Sequence, residues 1–202
     1  MILAQWIRRE FKPSILGYYN IPQHLWGVSL DGIGNFPYRE AVREILTNLP
    51  KLKSDLEEGK GWLLHGPTRS GKSAIAAMIC REVVFHGNRP LWFSAPMLVK
   101  RWLSNDDVCN DILKRHLLVV DDLGTEARTD RSDTARAIVC QIIRERLNYA
   151  RPVIITTNLT LEQLGEERWY GDKFVELLRG YVTPIEVAGM DWNDEKAKRE
   201  RK

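Results

Sequence analysis

The chain has 202 residues, enough for one domain with its own core and a short appendage. Hydrophobic residues make up 44% and charged residues 28%, which fits an ordinary globular domain and excludes a disordered or membrane-embedded class. A formal charge of +3 does not demand a nucleic-acid partner, although 30 lysines and arginines leave room for a local basic patch.

The opening "MILAQWIRRE" turns basic after a few apolar residues, so it is read as neither a signal peptide nor a membrane span. Residues 1–36 are broken repeatedly by Pro13, Gly17, Pro22, Gly27, Gly32 and Gly34 and are expected to be loop-rich. Trp6, Phe11, Tyr18, Tyr19, Trp26 and Phe36 are scattered there and are expected to pin this arm onto the main domain. Residues 38–57 carry apolar side chains at three-and-four spacing and predict a helix, kinked or broken at Pro50.

After Gly59, "GWLLHG" reads as a short buried strand. "KSAIAAMICREVVFHG" follows as a helix stopped by Gly87. "PLWFSA" predicts a second strand, and "APMLVKRWLS" and "DDVCNDILKR" predict helices. "HLLVVDD" is a third strand, apolar without alternation, as when both faces of a sheet are covered. "RSDTARAIVCQIIRERLNYA" is a long amphipathic helix, and "PVIITTN" a fourth strand. "LEQLG" and "DKFVELLRG" are short helices, "TPIEVAG" is a last strand, and "DEKAKRERK" is expected to be a solvated tail. The expected organisation is an arm and lead-in helix over 1–58, a core over 59–193, and a charged tail over 194–202. Strands alternating with helices predict an α/β fold with a central parallel sheet covered on both faces.

The stretch "HGPTRSGKS" is the strongest chemical signal. A glycine, four residues and then Gly-Lys-Ser form a phosphate-binding loop when a strand precedes and a helix follows, and both conditions hold. Gly66, Pro67, Thr68, Arg69, Ser70, Gly71, Lys72, Ser73 and Ala74 are therefore the candidate nucleotide-binding residues. Their backbone N–H groups would wrap the phosphates, Lys72 would reach the β and γ phosphates, and the Ser73 hydroxyl would ligate Mg²⁺. Asp121, at the tip of the third strand, is the second candidate for holding Mg²⁺. Asp122 is the candidate to polarise an attacking water, with Glu126 as a rival. Asn158, at the end of the fourth strand, could hydrogen-bond the γ phosphate and that water, with Thr156 and Thr157 as weaker candidates. The set points to ATP hydrolysis. A P-loop kinase would need a separate acceptor pocket, and none stands out.

The remaining signals are weaker. Cys80, Cys109 and Cys140 form no CxxC pair, which fits structural thiols in a reducing cytoplasm rather than zinc or redox chemistry. Arg128, Arg131 and Arg136 flank the start of the long helix and could track nucleic-acid phosphates.

"GPTRSGKS", "HLLVVDDLG" and "PVIITTNLTLEQL", in this order, resemble the AAA+ (ASCE-class) P-loop ATPase domain of DnaC/DnaI-type helicase loaders and their IstB-type transposition relatives. "NIPQHLWGVSLDGI" is similar to the family's lead-in, and "LLRGYVTPIEVAGMDW" to its closing helix, strand and G-x-D-W ending, so the likeness covers about residues 20–193. It implies a ring- or spiral-forming ATPase in which a neighbouring subunit supplies an arginine finger, and partners that include single-stranded DNA and a replicative helicase. It also implies that Asn158 serves as a sensor amide. Leu177 stands where many relatives carry the closing arginine, so Arg179 and Arg168 are the candidate finger or sensor, Arg179 ranking ahead. Loaders usually carry a further N-terminal helicase-binding domain. Residues 1–58 would have to supply that contact here, as in a compact phage or mobile-element form.

Overall fold

The structure, a computed structural model, describes residues 14–28, 52–104, 106–126 and 132–187. Trp6, Phe11 and Phe36, most of the 38–57 helix with Pro50, Arg128 and Arg131, the G-x-D-W ending and the tail at 194–202 lie outside the described residues.

Five strands form one parallel sheet: β1 (Gly61–His65), β2 (Pro90–Ser94), β3 (Leu117–Leu123), β4 (Val153–Thr157) and β5 (Val182–Glu186), in the spatial order β2-β3-β4-β1-β5. The three central strands are apolar nearly throughout because both faces are covered. β5 buries Val182 and Ile185 and exposes Thr183, Pro184 and Glu186, as an edge strand can, and tolerates Pro184 because an edge need not donate every N–H.

The helices are α1 (Ser14–Gly17), α2 (Leu52–Glu57), α3 (Lys72–Phe85), α4 (Ala95–Trp102), α5 (Asp106–Lys114), α6 (Ser132–Asn148), α7 (Leu161–Gly165) and α8 (Asp172–Tyr181). One face of the sheet packs Trp62, Leu64, Trp92, Val119 and Ile154 against α3, whose Ile75, Ile79 and Val83 are buried. The other face packs Leu63, Phe93, Leu118, Val120 and Ile155 against α4, α5, α6 and α8 through Leu98, Ile112, Ile142 and Phe174. The alternation along each strand thus divides the apolar side chains between two cores.

α3 ends as its sequence predicts. Gly87 has φ +78°, its N–H donates to the Val84 carbonyl at 2.9 Å, and the Asn88 N–H donates to the Val83 carbonyl at 3.0 Å. Only glycine adopts that left-handed closing residue without strain. Of the aromatics expected to dock the arm, Tyr19 and Trp26 do so in its described part. Leu16, Ile21 and Leu25 are buried beneath α3, Tyr19 and Trp26 pack against them, and the Trp92 N–H at the free edge of β2 donates to the Tyr19 carbonyl at 2.9 Å. Tyr18 is a correction to that expectation, since it is 83% exposed and pins nothing.

Arg146 is fully buried in α6, with no carboxylate partner among the described residues. Its guanidinium donates to the Ile112 carbonyl and, at 3.0 Å each, to the carbonyls of Arg115 and Pro152. It thereby gathers the end of α5 and the start of β4 onto α6. No helix among the described residues is long and apolar enough to cross a membrane.

Candidate nucleotide site

The phosphate loop leaves the buried end of β1 and turns into α3. Gly66 has φ +146°, and a Cβ there would lie 2.4 Å from the Val187 carbonyl oxygen, so glycine is required on steric grounds. Gly71 precedes α3 with φ +100° and offers no side chain to cap it, which leaves the first N–H groups of the helix free for an anion. Pro67, Thr68 and Arg69 are exposed and Ser70 is buried. Arg69 has φ +65°, a conformation costly for a residue with a Cβ, and its side chain faces outward.

Lys72 is 5% exposed and folds back onto the loop. Its Nζ donates to the carbonyls of Gly66 at 2.9 Å and Pro67 at 2.7 Å, and lies 3.4 Å from Ser70 Oγ. Burial pushes its pKa down, while the charges of Asp122 and Asp121 pull it back up. An ammonium held by neutral carbonyls can exchange them for phosphate oxygens at a gain in charge pairing.

Asp121 lies beside this lysine at the end of β3. Its Oδ1 accepts from Ser73 Oγ at 2.8 Å and from Thr156 Oγ1 at 2.6 Å. Burial raises its pKa, and these two hydrogen bonds, from Thr156 and then Ser73, oppose the rise. A hydroxyl and one carboxylate suit Mg²⁺, which keeps several waters and takes its other ligands from substrate phosphates. No group of three or more metal-ligating side chains occurs among the described residues, so a cage built wholly of protein is not offered.

The ladder between β3 and β4 slips between Val120 and Leu123, and Asp122 sits in that irregularity with φ +56°. Its N–H donates to Thr156 Oγ1 at 2.9 Å and its carbonyl accepts from Thr125, while its carboxylate is exposed. The bulge turns two successive acids apart, Asp121 inward to Ser73 and Asp122 outward. Glu126 is 3% exposed, with Oε2 accepting the Gly124 N–H at 2.9 Å. Burial raises its pKa.

β4 delivers Asn158 to the same edge. His65 is in register with Thr157, and the Gly66 N–H donates to the Thr157 carbonyl at 3.3 Å, so Asn158 stands one residue past the root of the phosphate loop with an exposed side chain. Thr157 Oγ1 is used up locally, donating to the Leu123 carbonyl at 2.8 Å and accepting from the Leu159 N–H. Thr156, ranked low from sequence, is the residue that touches both acids.

The candidate arginines lie on the segments that follow β4. Arg179 is exposed on α8; the pKa of Glu162 is lowered first by a backbone hydrogen bond and one from Thr160, and then by the charges of His65 and Arg179. Arg168 is exposed and paired with Glu166 at 2.5 Å. Neither contacts the phosphate loop among the described residues. Arg136, read from sequence as a possible phosphate contact, is already committed: it pairs with Asp133 and donates to the Arg168 carbonyl at 2.5 Å.

A glycine loop between a buried strand and a helix, an acid at the tip of β3 and this strand order define a P-loop nucleoside-triphosphate-binding protein of the AAA+ type. The family model described as "IstB-like ATP binding protein" matches residues 35–177, and the chain belongs to that family. No curated protein sequence matches it. The fold is similar to the crystal structure of the DnaC helicase loader, with a TM-score of 0.68 and 24% identity over 82% of this chain and 99% of that one. It is similar also to DnaI, with a TM-score of 0.65 and 23% identity over 82% and 93% of the two chains. A putative primosome component from Streptococcus pyogenes serotype M3 gives 0.63 and 18% over 83% and 90%.

Proposed function

We propose that the chain is a Mg²⁺-dependent ATPase that self-assembles into a ring or spiral and loads or remodels a replicative DNA helicase. The observation that carries the ATPase reading is the contact of Ser73 with Asp121 at 2.8 Å, directly behind a buried Lys72 and an uncapped helix start. The helicase reading is supported by likeness over nearly the whole of a structure described as a helicase loader.

In this reading Lys72 leaves the Gly66 and Pro67 carbonyls for the β and γ phosphates, and the first turn of α3 receives the phosphate charge. Mg²⁺, held by Ser73 and Asp121, would neutralise the phosphate oxygens. Asp122, facing out of the bulge, would accept a proton from water, and the Asn158 amide would orient that water from the end of β4. An arginine from a neighbouring subunit, Arg179 or Arg168, completes the charge stabilisation. Single-stranded DNA is the expected nucleic-acid partner.

The test has two parts. Phosphate release is measured without any acceptor, and mass in solution is measured with and without a slowly hydrolysed ATP analogue. Release together with a shift to a large assembly is expected. Turnover only on adding a small acceptor would make the protein a kinase. Co-purification with the helicase of the same genome tests loading. The family match supports a second reading, an IstB-like transposition helper. Filaments on duplex DNA with indifference to helicase would favour it.

A further inference from the structure

At the end of the sheet opposite the phosphate loop, three residues that precede consecutive strands form a row. Pro90 is in register with Leu117, and Leu118 with Val153. One residue back from Pro90 and Leu117, and two back from Leu118 and Val153, Arg89 lies beside His116 and His116 beside Arg151. The Arg89 N–H donates to His116 Nδ1 at 3.2 Å, and the His116 N–H returns to the Arg89 carbonyl at 3.2 Å. With Nδ1 accepting, the neutral imidazole carries its proton on Nε2, free to donate elsewhere.

His116 and Arg151 line a cleft of about 310 Å³, whose wall includes His86, Asn88 and, as the one carboxylate among the described residues, Glu57. The pKa of His116 is held down by burial first and then by the charges of Arg151, Arg89, Arg115 and Arg146, so four guanidiniums act on this point. Two of them are occupied: Arg115 grips Asp111 at 2.6 and 2.8 Å, and Arg146 holds backbone carbonyls. Arg89 and Arg151 form no ion pair among the described residues. Tyr149, two residues before Arg151, is 77% exposed.

We propose that this edge binds the sugar–phosphate backbone of a single-stranded nucleic acid. Neighbouring strands are about 4.8 Å apart, so the donors are strung along a line rather than converging on a point. A compact phosphate needs convergent donors, whereas a polymer of phosphates is matched by a row. Arg89 and Arg151 take successive phosphates, His116 Nε2 donates between them, and Tyr149 offers a stacking face to a base. The inference rests on the nucleic-acid part of the function proposed above and needs neither ATP hydrolysis nor the phosphate loop.

The test is fluorescence anisotropy of the full chain with labelled oligo(dT) and oligo(U), with inorganic phosphate as competitor. ATP binding and turnover are measured on the same samples. Arg89→Glu/Arg151→Glu should weaken binding at least tenfold while ATP binding is unchanged. The milder Arg89→Gln/Arg151→Gln should flatten the log–log salt dependence by about 1.4, at about 0.7 per lost phosphate contact on a single strand. Tyr149→Ala should weaken binding with the salt slope retained. Tighter binding of either polymer supports the proposal and identifies the source. It is overturned by a folded double variant with wild-type affinity and slope, by a wild-type chain that binds neither oligonucleotide, or by micromolar phosphate displacing the oligonucleotide. Row-dependent binding in a protein without ATP turnover would overturn the ATPase reading and leave this one standing.

Discussion

Thr156 and Asp121 are joined by a hydroxyl-to-carboxylate hydrogen bond of 2.6 Å, and the same hydroxyl accepts the Asp122 N–H at 2.9 Å. One side chain therefore fixes both the inward acid and the backbone that throws the next acid outward. Thr156→Val preserves shape and removes the hydroxyl. Activity or Mg²⁺ affinity should fall about 10–100-fold, as when a group that orients a metal ligand is lost. Isothermal titration with ATP and Mg²⁺ beside a phosphate-release assay measures it; unchanged values in both would remove Thr156 from the site.

Lys72→Ala should abolish tight ATP binding, because among the described residues no other buried cation lies beside the loop. Asp122→Asn should bind ATP normally and stop hydrolysing it. Fluorescent-nucleotide titration separates binding from turnover. If Asp122→Asn turned over at the wild-type rate, the base would have to be sought elsewhere. Glu126 is a poor substitute, since its carboxylate is buried against the Gly124 N–H.

Arg179→Ala and Arg168→Ala should separate cleanly. Loss of a transition-state arginine costs on the order of 10³ or more in turnover with ATP binding retained. An arginine engaged only in an exposed pair, as Arg168 is with Glu166, should change turnover little. Mixing each variant with Lys72→Ala subunits tests action in trans: partial recovery is expected only where one protomer serves its neighbour.

Arg146→Leu should destabilise the fold without touching the nucleotide site. It leaves carbonyls of Ile112, Arg115 and Pro152 without their donor in the interior. A loss of about 3 kcal/mol is expected. That corresponds to a fall of about 6–12 °C in Tm for a chain of this size, read by thermal unfolding. A change within 1 °C or so of the wild type would mean that the carbonyls find other donors.

Arg69→Gly should leave Tm equal or higher, since relief of the left-handed conformation offsets glycine's added freedom in the unfolded chain. Arg69→Val, β-branched at the same φ, should cost about 1 kcal/mol or more. Equal melting temperatures for the two variants would show that the loop rearranges to relax them.

β1 to β4 were legible because each is a short apolar run buried on both faces, and the phosphate loop because its spacing is dictated by phosphate geometry. The arms of the chemistry that depend on register were not. Nothing in "ITTN" says which threonine meets Asp121, because that follows from the bulge between Val120 and Leu123. Arg146 reads as one more charge on an amphipathic helix, yet its partners are carbonyls from residues 112, 115 and 152, invisible to helical periodicity. Arg136 looked like a surface cation until the turn carrying Arg168 closed over it.

The junction of Gly66 and Val187 has a mechanical consequence. The Val187 N–H donates to the His65 carbonyl at 2.7 Å, and its carbonyl sits where a Gly66 side chain would have to go. The entrance of the phosphate loop and the exit of β5 are thus clamped back to back. A displacement of Val187 would therefore move the His65–Gly66 junction directly, through one hydrogen bond and one close contact.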